Sequence, residues 1–209
     1  MTTPWLIWGG ALALYLLFRL WYDGLRKPLT KAEIDAFLAE VHSKYGGGND
    51  PAVLRQFLEA DDGKEFVMLN LVKIEEGMVA DPDSGEQVPG RTMMRRYSDP
   101  FVKALIRRGG HPVMVGVKVG PYVDAWNVEA DPGWSIFGLM RYRSRRDMIA
   151  MVRNPLFARV HPYKLLGIPT TFSFPTQRQV SVYLGPRATV ALVLALGAAL
   201  VQLAAMRPM

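Results

Sequence analysis

The sequence contains no cysteine among its 209 residues. This absence excludes a disulfide scaffold, a thiolate zinc site, a cysteine-ligated cluster and a cysteine nucleophile. Histidine is also scarce: there are three, and no two of them have the spacing of metal ligands. The chain has no HExxH motif, nucleophile elbow or phosphate-binding loop. We therefore predict no metal site and no cofactor, and the sequence leaves open whether the protein is an enzyme.

Acidic residues are fewer than basic ones, and the formal net charge is +6. Such a charge attracts either nucleic acid or an anionic membrane surface. The basic pairs Arg95-Arg96, Arg107-Arg108 and Arg145-Arg146 have neither a recognition helix nor an aromatic platform beside them. We therefore expect membrane lipid, and no nucleic acid, as the anionic partner.

Charged residues are absent from Pro4 to Phe18, and the apolar character continues to Tyr22. This length is close to the ~20 residues that span a bilayer core. Aromatic residues stand at both ends of the run, as they do at membrane interfaces. A signal peptide is the alternative, but the residues before the run lack the basic region that it requires. We predict an uncleaved N-terminal transmembrane helix over residues 1–22.

A second uncharged run extends from Thr189 to Met206, and Gln202 is its only strongly polar side chain. It predicts a C-terminal transmembrane helix over residues 189–206, preceded by a linker over residues 176–188. Alanines recur at intervals of four in this run, which indicates either a helix-packing face or an ordinary alanine-rich span.

Basic residues follow the first run closely, and none precedes it: they are Arg19, Arg26, Lys27 and Lys31. The positive-inside rule places the N-terminus outside and the following domain in the cytoplasm. The second run then returns the chain to the outside. We predict a two-pass protein of the bacterial inner (plasma) membrane, with both termini outside and a cytoplasmic central domain.

Residues 23–63 have the pattern of a helical stalk. Lys31–Tyr45 has a helical apolar face, and Thr30 with Glu33 has the spacing of a capping box. A second short helix begins after Asp50, which stands at the N-cap position.

From residue 64 to residue 175, segments of strand and helix character alternate. In chain order they are a strand Glu65–Ile74, a helix Arg91–Arg108, a strand Pro112–Val119, a strand Ser135–Tyr142, a helix Arg145–Arg153, a short helix Leu156–Leu166 and a strand Thr170–Phe174. This βαββαβ order predicts an α+β domain of the ferredoxin-like type, with an antiparallel sheet and helices on one face.

The irregular parts of this domain carry finer expectations. Pro100 is expected to kink or divide the first helix, and Pro162 to interrupt the last one. Residues 75–90 are turn-rich and acidic, so we expect a solvated loop there. Tyr122–Val128 is expected to continue the second strand around a bend. Ser144 and Asp147 have capping-box spacing, and Asn154-Pro155 is expected to end the helix that they start.

A strand ending in MLNLVK, a helix that carries a tyrosine, and the stretch W…LMRYRSRRDMIAMVRNPLF together resemble a bacterial family known only as a domain of unknown function. That family belongs to the dimeric α/β-barrel superfamily. Its relatives include cofactor-independent antibiotic-biosynthesis monooxygenases, muconolactone isomerases and haem-binding chlorite dismutases. The resemblance covers about residues 64–175 and excludes both spans and the stalk. It implies a homodimer whose two sheets face each other, and haem is the one cofactor that it leaves open.

In such a barrel the pocket lies between the sheet and the helices. The ligand-pocket candidates are therefore polar groups on strands and helix faces: Asn70, Tyr97, Arg141 and His161. Asn70 interrupts an apolar strand, so it needs either a structural partner or a ligand. Tyr97 either packs in the core or donates to a ligand, and Arg141 holds either a carboxylate or an anionic substrate. His161 is the histidine considered as a general base or haem ligand.

Two functions follow. The first is a membrane-anchored binding or accessory module, acting as a homodimer and as a subunit of an assembly with a membrane-protein partner. The alternative is a cofactor-independent oxygenase or isomerase acting on a hydrophobic small molecule.

Overall fold

The computed structural model describes residues 4–45 and 50–206, and the chain forms two compact units. One unit contains residues 1–25 and 178–209, and the other contains residues 26–177. The helices are α1 Pro4–Asp23, α2 Lys31–Tyr45, α3 Pro51–Glu59, α4 Gly90–Arg107, α5 Arg145–Val152, α6 Pro155–Gly167 and α7 Pro186–Ala205. The strands are β1 Phe66–Lys73, β2 Met78–Ala80, β3 Gln87–Pro89, β4 His111–Val117, β5 Ile136–Tyr142 and β6 Thr170–Thr176.

The first unit is a pair of helices, α1 and α7, that pack on each other. The Trp8 indole donates to the Gln202 amide oxygen at one end, at 2.6 Å, and Arg187 pairs with Asp23 at the other end, at 2.6 Å. The two helices therefore run antiparallel. Each has 20 residues and is long and apolar enough to cross a membrane. Few of their residues are buried within the chain, and most of their large apolar side chains are exposed.

The second unit is built on a four-stranded sheet with the order β4-β5-β1-β6, in which every neighbouring pair is antiparallel. Asn70 on β1 stands opposite Gly138 on β5 and Ser173 on β6. Because successive side chains alternate along a strand, the sheet has two distinct faces. The unit is thus a mixed α/β structure, and the predicted antiparallel sheet is confirmed.

The helix-side face of the sheet carries the core. Phe66 and Tyr142 stack with their ring centroids 5.0 Å apart, and Leu105 of α4 and Met151 of α5 pack against them. A second cluster joins α2 and α3 to α5 through buried apolar residues: Ile34, Phe37, Leu58 and Ile149. Burial of these side chains supplies most of the favourable free energy for this packing.

Helix caps form where local chemistry indicated them. The Asp147 amide donates to the Ser144 hydroxyl at 3.1 Å, and that hydroxyl donates to the Asp147 carboxylate at 2.8 Å. Glu33 accepts from the Thr30 amide at 2.8 Å. A hydrogen bond from Arg146 is the largest of several effects that lower the pKa of Glu33. The Asp50 carboxylate caps α3 by accepting from the Ala52 amide at 2.8 Å.

Two predicted interruptions are wrong: α4 is not divided at Pro100, and α6 is not interrupted at Pro162. A kink of α4 at Pro100 stays a prediction. A proline removes one helical hydrogen bond, but α4 and α6 pack closely along each other and hold both helices in one piece. The two helices approach closely at Gly167, where a Cβ would collide with the Met94 backbone nitrogen.

Two loop predictions are also corrected. Residues 78–80 and 87–89 form a hairpin, and the turn between them is not fully solvated because Asp81 is buried and pairs with Arg96 at 2.6 Å. Residues 122–128 are irregular and exposed instead of forming a strand. The glycine-rich residues 46–49, whose composition favours a break after α2, lie outside the described residues, and so does the side chain of His42, for which the sequence favours solvent exposure.

Candidate functional site

Asn70 is satisfied by the sheet itself. Its amide nitrogen donates to the carbonyls of Met68 and Gly138, each at 3.1 Å, and its amide oxygen accepts from the Ser173 hydroxyl at 2.7 Å. These three bonds use most of the hydrogen-bonding capacity of an amide. The geometry therefore supports a structural role for Asn70 and not a role in ligand binding.

Arg141 is also engaged within the protein. It is 3% exposed, and its guanidinium donates to the Glu65 carboxylate at 2.6 and 2.9 Å. It also donates to the carbonyl of Gly109 in the turn between α4 and β4. These hydrogen bonds lie at the end of the sheet. Through them the guanidinium connects β5 to the start of β1 and to that turn. This geometry indicates a structural ion pair and not a substrate clamp.

Tyr97 faces the interior from α4, among Val72, Ile74 and Ile168. Its ring stacks on Phe101 at 5.8 Å, and the Lys164 ammonium lies over it at 5.8 Å from the centroid. Burial raises the pKa of Tyr97 to about 12. Burial likewise raises the pKa of Tyr142, and the proximity of Tyr97 adds to that effect. Both phenols are therefore protonated donors at neutral pH.

His161 is half-buried on α6, one helical turn before Lys164. Burial lowers the pKa of His161, and the ammonium of Lys164 lowers it further. Burial also lowers the pKa of Lys164. A neutral imidazole is favoured in this setting.

The helix side thus brings Tyr97, Tyr142, Lys164 and His161 to one region between α4, α6 and the sheet, whereas Arg141 lies elsewhere. This group can donate hydrogen bonds to an oxygen of a small molecule. It does not contain a carboxylate that would complete an acid–base pair. Among the residues that the structure describes, no group of three or more histidines, aspartates or glutamates is placed to hold a metal ion.

A second candidate site lies on the opposite face of the sheet, where the segment between β4 and β5 forms a cleft. We call it the aromatic cleft: it has a volume of 710 Å³, and its main side chains are Tyr122, Asp124, Trp126, Glu129, Trp134 and Phe172. An adjoining hollow of 510 Å³ shares Tyr122, Asp124 and Trp134 with it. These volumes fall in the range of about 300–1,000 Å³ that is usual for small-molecule sites.

The wall of the cleft is fixed by contacts at the base of this segment. The Trp134 indole donates to the Tyr122 hydroxyl at 2.8 Å and meets Phe172 edge to face at 5.2 Å. The Asp131 carboxylate accepts from the Gly133 amide at 2.9 Å and the Trp134 amide at 3.2 Å, and it binds the Lys118 ammonium. The aromatic wall is thus preorganised, and Trp126 stands 79% exposed at its edge.

The sequence pattern predicts a bent strand over Tyr122–Val128 and therefore does not predict the aromatic cleft. A signal was available in Gly120-Pro121 and Asp131-Pro132-Gly133, two turn sequences that bracket an aromatic and acidic segment. Those turns separate the segment from both strands and leave its side chains free to line a cleft.

No family model and no curated protein matches the chain. Among solved structures, it is similar to RPA0582, a protein of unknown function from Rhodopseudomonas palustris. The TM-score is 0.52 at 19% identity, and the match covers 64% of this chain and 96% of that chain. Methylated RPA0582 gives a TM-score of 0.54 at 18% identity, covering 65% and 96%. At such identities the likeness establishes an α/β sheet fold and assigns no activity.

Proposed function

We propose that this protein is a membrane-anchored binding module whose central domain is a dimeric ferredoxin-like barrel. The observation that carries the proposal is the uncovered apolar face of the sheet, opposite the helices. Phe172 and Phe174 are 45% and 46% exposed there, their rings stack 6.2 Å apart, and Met114 is 39% exposed. Contiguous apolar surface of this kind marks an interaction site.

The ferredoxin-like assignment is supported by the order of the elements. The strands of the main sheet follow one another in the chain as β1, β4, β5 and β6, with α4 after the first and α5 and α6 after the third. The third strand lies beside the first, and the second and fourth form the edges. This order supports the split βαβ arrangement that we propose.

A second copy of the chain suits the open face of the sheet because its own open face has the same apolar character. A two-fold dimer uses one self-complementary patch on both subunits. A stable interface buries about 800 Å² on each partner. Membrane lipid and a membrane-protein partner remain further partners in this proposal.

The membrane anchor is supported by α1 and α7, which leave apolar surfaces over 20 residues each with little cover from the chain. Their antiparallel pairing suits two passes, and the basic residues after α1 favour termini outside and a cytoplasmic domain. Reporters fused after Met209 test the orientation. A fusion that is active only in the cytoplasm would overturn it.

Native mass spectrometry of the full-length protein from a mild detergent tests the dimer. We expect a dimer for the wild type and at least about tenfold weaker association for Phe174→Lys, because a charge replaces an exposed ring of the apolar face. Leu165→Lys is the matched control, since Leu165 is 63% exposed on α6 and away from that face. A monomeric wild type, or equal effects of both variants, would contradict the proposed dimer.

The alternative function, a cofactor-independent oxygenase or isomerase, is favoured by one observation. Lys164 lies over Tyr97 with no ion-pair partner among the described residues, so two donors face an apolar interior. The same mass spectra identify the ligand that it requires: a hydrophobic molecule should be retained by the wild type and lost in Tyr97→Phe. Chemical conversion of that molecule by the wild type would favour the enzyme over the binding module.

A further inference from the structure

We infer that the aromatic cleft is a binding site for a small organic cation, an amine or quaternary ammonium group with an apolar body. The inference deepens the proposed binding function by naming a ligand class, and it rests on that function. It is carried by three features of the cleft: aromatic faces, carboxylates without partners and a suitable volume.

Aromatic side chains form most of the wall. Trp134 is held by Tyr122 and Phe172, and Trp126 stands at the edge with most of its surface exposed. The face of an aromatic ring carries negative potential and attracts a cation within about 6 Å of its centroid, tryptophan most strongly. Lys118 already uses this attraction, since its ammonium lies 5.6 Å from the centre of the Tyr122 ring.

The acidic side chains of the cleft favour a positively charged ligand. In the part of the chain that the structure describes, neither Asp124 nor Glu129 has an ion-pair partner, although both line the cleft. Two lysines lie beside the cleft: Asp131 neutralises Lys118, and the Lys73 side chain lies against Gly133. The lining itself contains two carboxylates and no cationic side chain. The carboxylates attract a cation, repel an anion and leave a neutral ligand without electrostatic gain.

The volume and the lining set the kind of cation. At 710 Å³ the cleft is far larger than a metal ion needs, and its remaining lining is apolar: Ala125, Val128, Ala130 and Pro132. A hydrated inorganic cation gains little from such walls, whereas an alkyl or aryl ammonium buries its methyl and methylene groups against them. The occupant is therefore a soft organic cation.

Saturation-transfer NMR on the full-length protein in a non-ionic detergent tests the inference with a matched pair of probes. Choline carries a quaternary ammonium group, and 3,3-dimethyl-1-butanol has the same shape with a neutral carbon in its place. We expect saturable binding of choline that weakens with salt. The neutral isostere should bind at least about tenfold more weakly.

Variants assign the binding to the cleft. Trp126→Ala should lower choline affinity about fivefold or more because a ring face is lost. The double substitution D124N and E129Q should lower it about tenfold and remove most of its salt dependence. All three side chains are exposed, so the variants should fold normally. Asp99→Asn, which removes an exposed carboxylate from α4, should leave the affinity unchanged.

Equal binding of the two probes, no saturable choline binding, or choline binding that survives the double substitution would each overturn the inference. Native mass spectra of the same samples separate the two proposals. If the wild type is a dimer that does not bind choline, the cation site is contradicted and the proposed binding module is not.

If the wild type is a monomer in which choline binding still depends on Asp124 and Glu129, the proposed dimer is contradicted and the cation site is supported. A second copy seated over the cleft would appear as choline binding only after dissociation, which also overturns the inference for the dimer.

Discussion

The two faces of the four-stranded sheet use their side chains for different purposes. On the helix side, Phe66 and Tyr142 are buried beneath α4 and α5, and the polar Asn70 is satisfied by three hydrogen bonds. On the open side, Phe172 and Phe174 remain about half exposed. Both faces belong to the same four strands. They differ in burial because helices pack on one face and no helix of the described chain covers the aromatic residues of the other. One face stabilises the fold, and the other is left for binding.

The largest expected effect separates the two faces by stability. Leu105→Ala should lower the free energy of unfolding by about 3 kcal/mol, because Leu105 is 1% exposed in the helix-side core and its removal leaves a cavity. Phe174→Ala should cost less than about 1 kcal/mol in the monomer, since its ring is about half exposed and lies outside the core. Guanidinium unfolding of the full chain in detergent, at concentrations below the dissociation constant of the dimer, measures both.

Ile106→Ala is the matched control for Leu105→Ala. It follows Leu105 on the same helix but is 47% exposed, so its truncation should change stability little. If Phe174→Ala destabilised the monomer as much as Leu105→Ala, the open face would be part of the core, and the contrast between the faces would be lost.

Local chemistry explains which parts of this contrast are predictable from sequence. The Ser144–Asp147 and Thr30–Glu33 caps need only residues three apart, and both form. The strands of the main sheet were located by apolar runs of strand length. The sequence also predicts the βαββαβ order of a ferredoxin-like domain, and this topology stays a proposal.

Contacts between distant residues explain what could not be predicted. Pro162 is tolerated because α6 packs on α4, a pairing that no local pattern reveals. Arg141 became structural through Glu65, which is 76 residues away, and Asn70 through Ser173, which is 103 residues away. The aromatic cleft was missed for a related reason. Its segment has strand-like composition, but Lys118 and Asp131 close its base and divert it from the sheet.

Lys164 is a charged residue in the otherwise apolar helix side. Its substitution gives the smallest expected change in stability. Its ammonium is half-buried over Tyr97 without a carboxylate partner among the described residues, and His161 lies on the same helix. Burial lowers the pKa of Lys164 below its ordinary value of 10.5. The charged form is therefore disfavoured by folding. Lys164→Met, which keeps the apolar stem and removes the charge, should stabilise the protein by about 1 kcal/mol at neutral pH.

The pH dependence gives the sign of this effect. Between the lowered pKa of folded Lys164 and 10.5, the unfolded chain binds more protons than the folded chain, so wild-type stability rises with pH in that window. The advantage of Lys164→Met should be complete below the folded pKa and should shrink as the pH approaches 10.5. Unfolding midpoints across this range measure it, with Lys103→Met on the exposed surface of α4 as the control. A Lys164→Met variant that is less stable than the wild type at neutral pH would mean that the ammonium is stabilised by the Tyr97 ring, and that the helix side tolerates a charge by cation–π attraction.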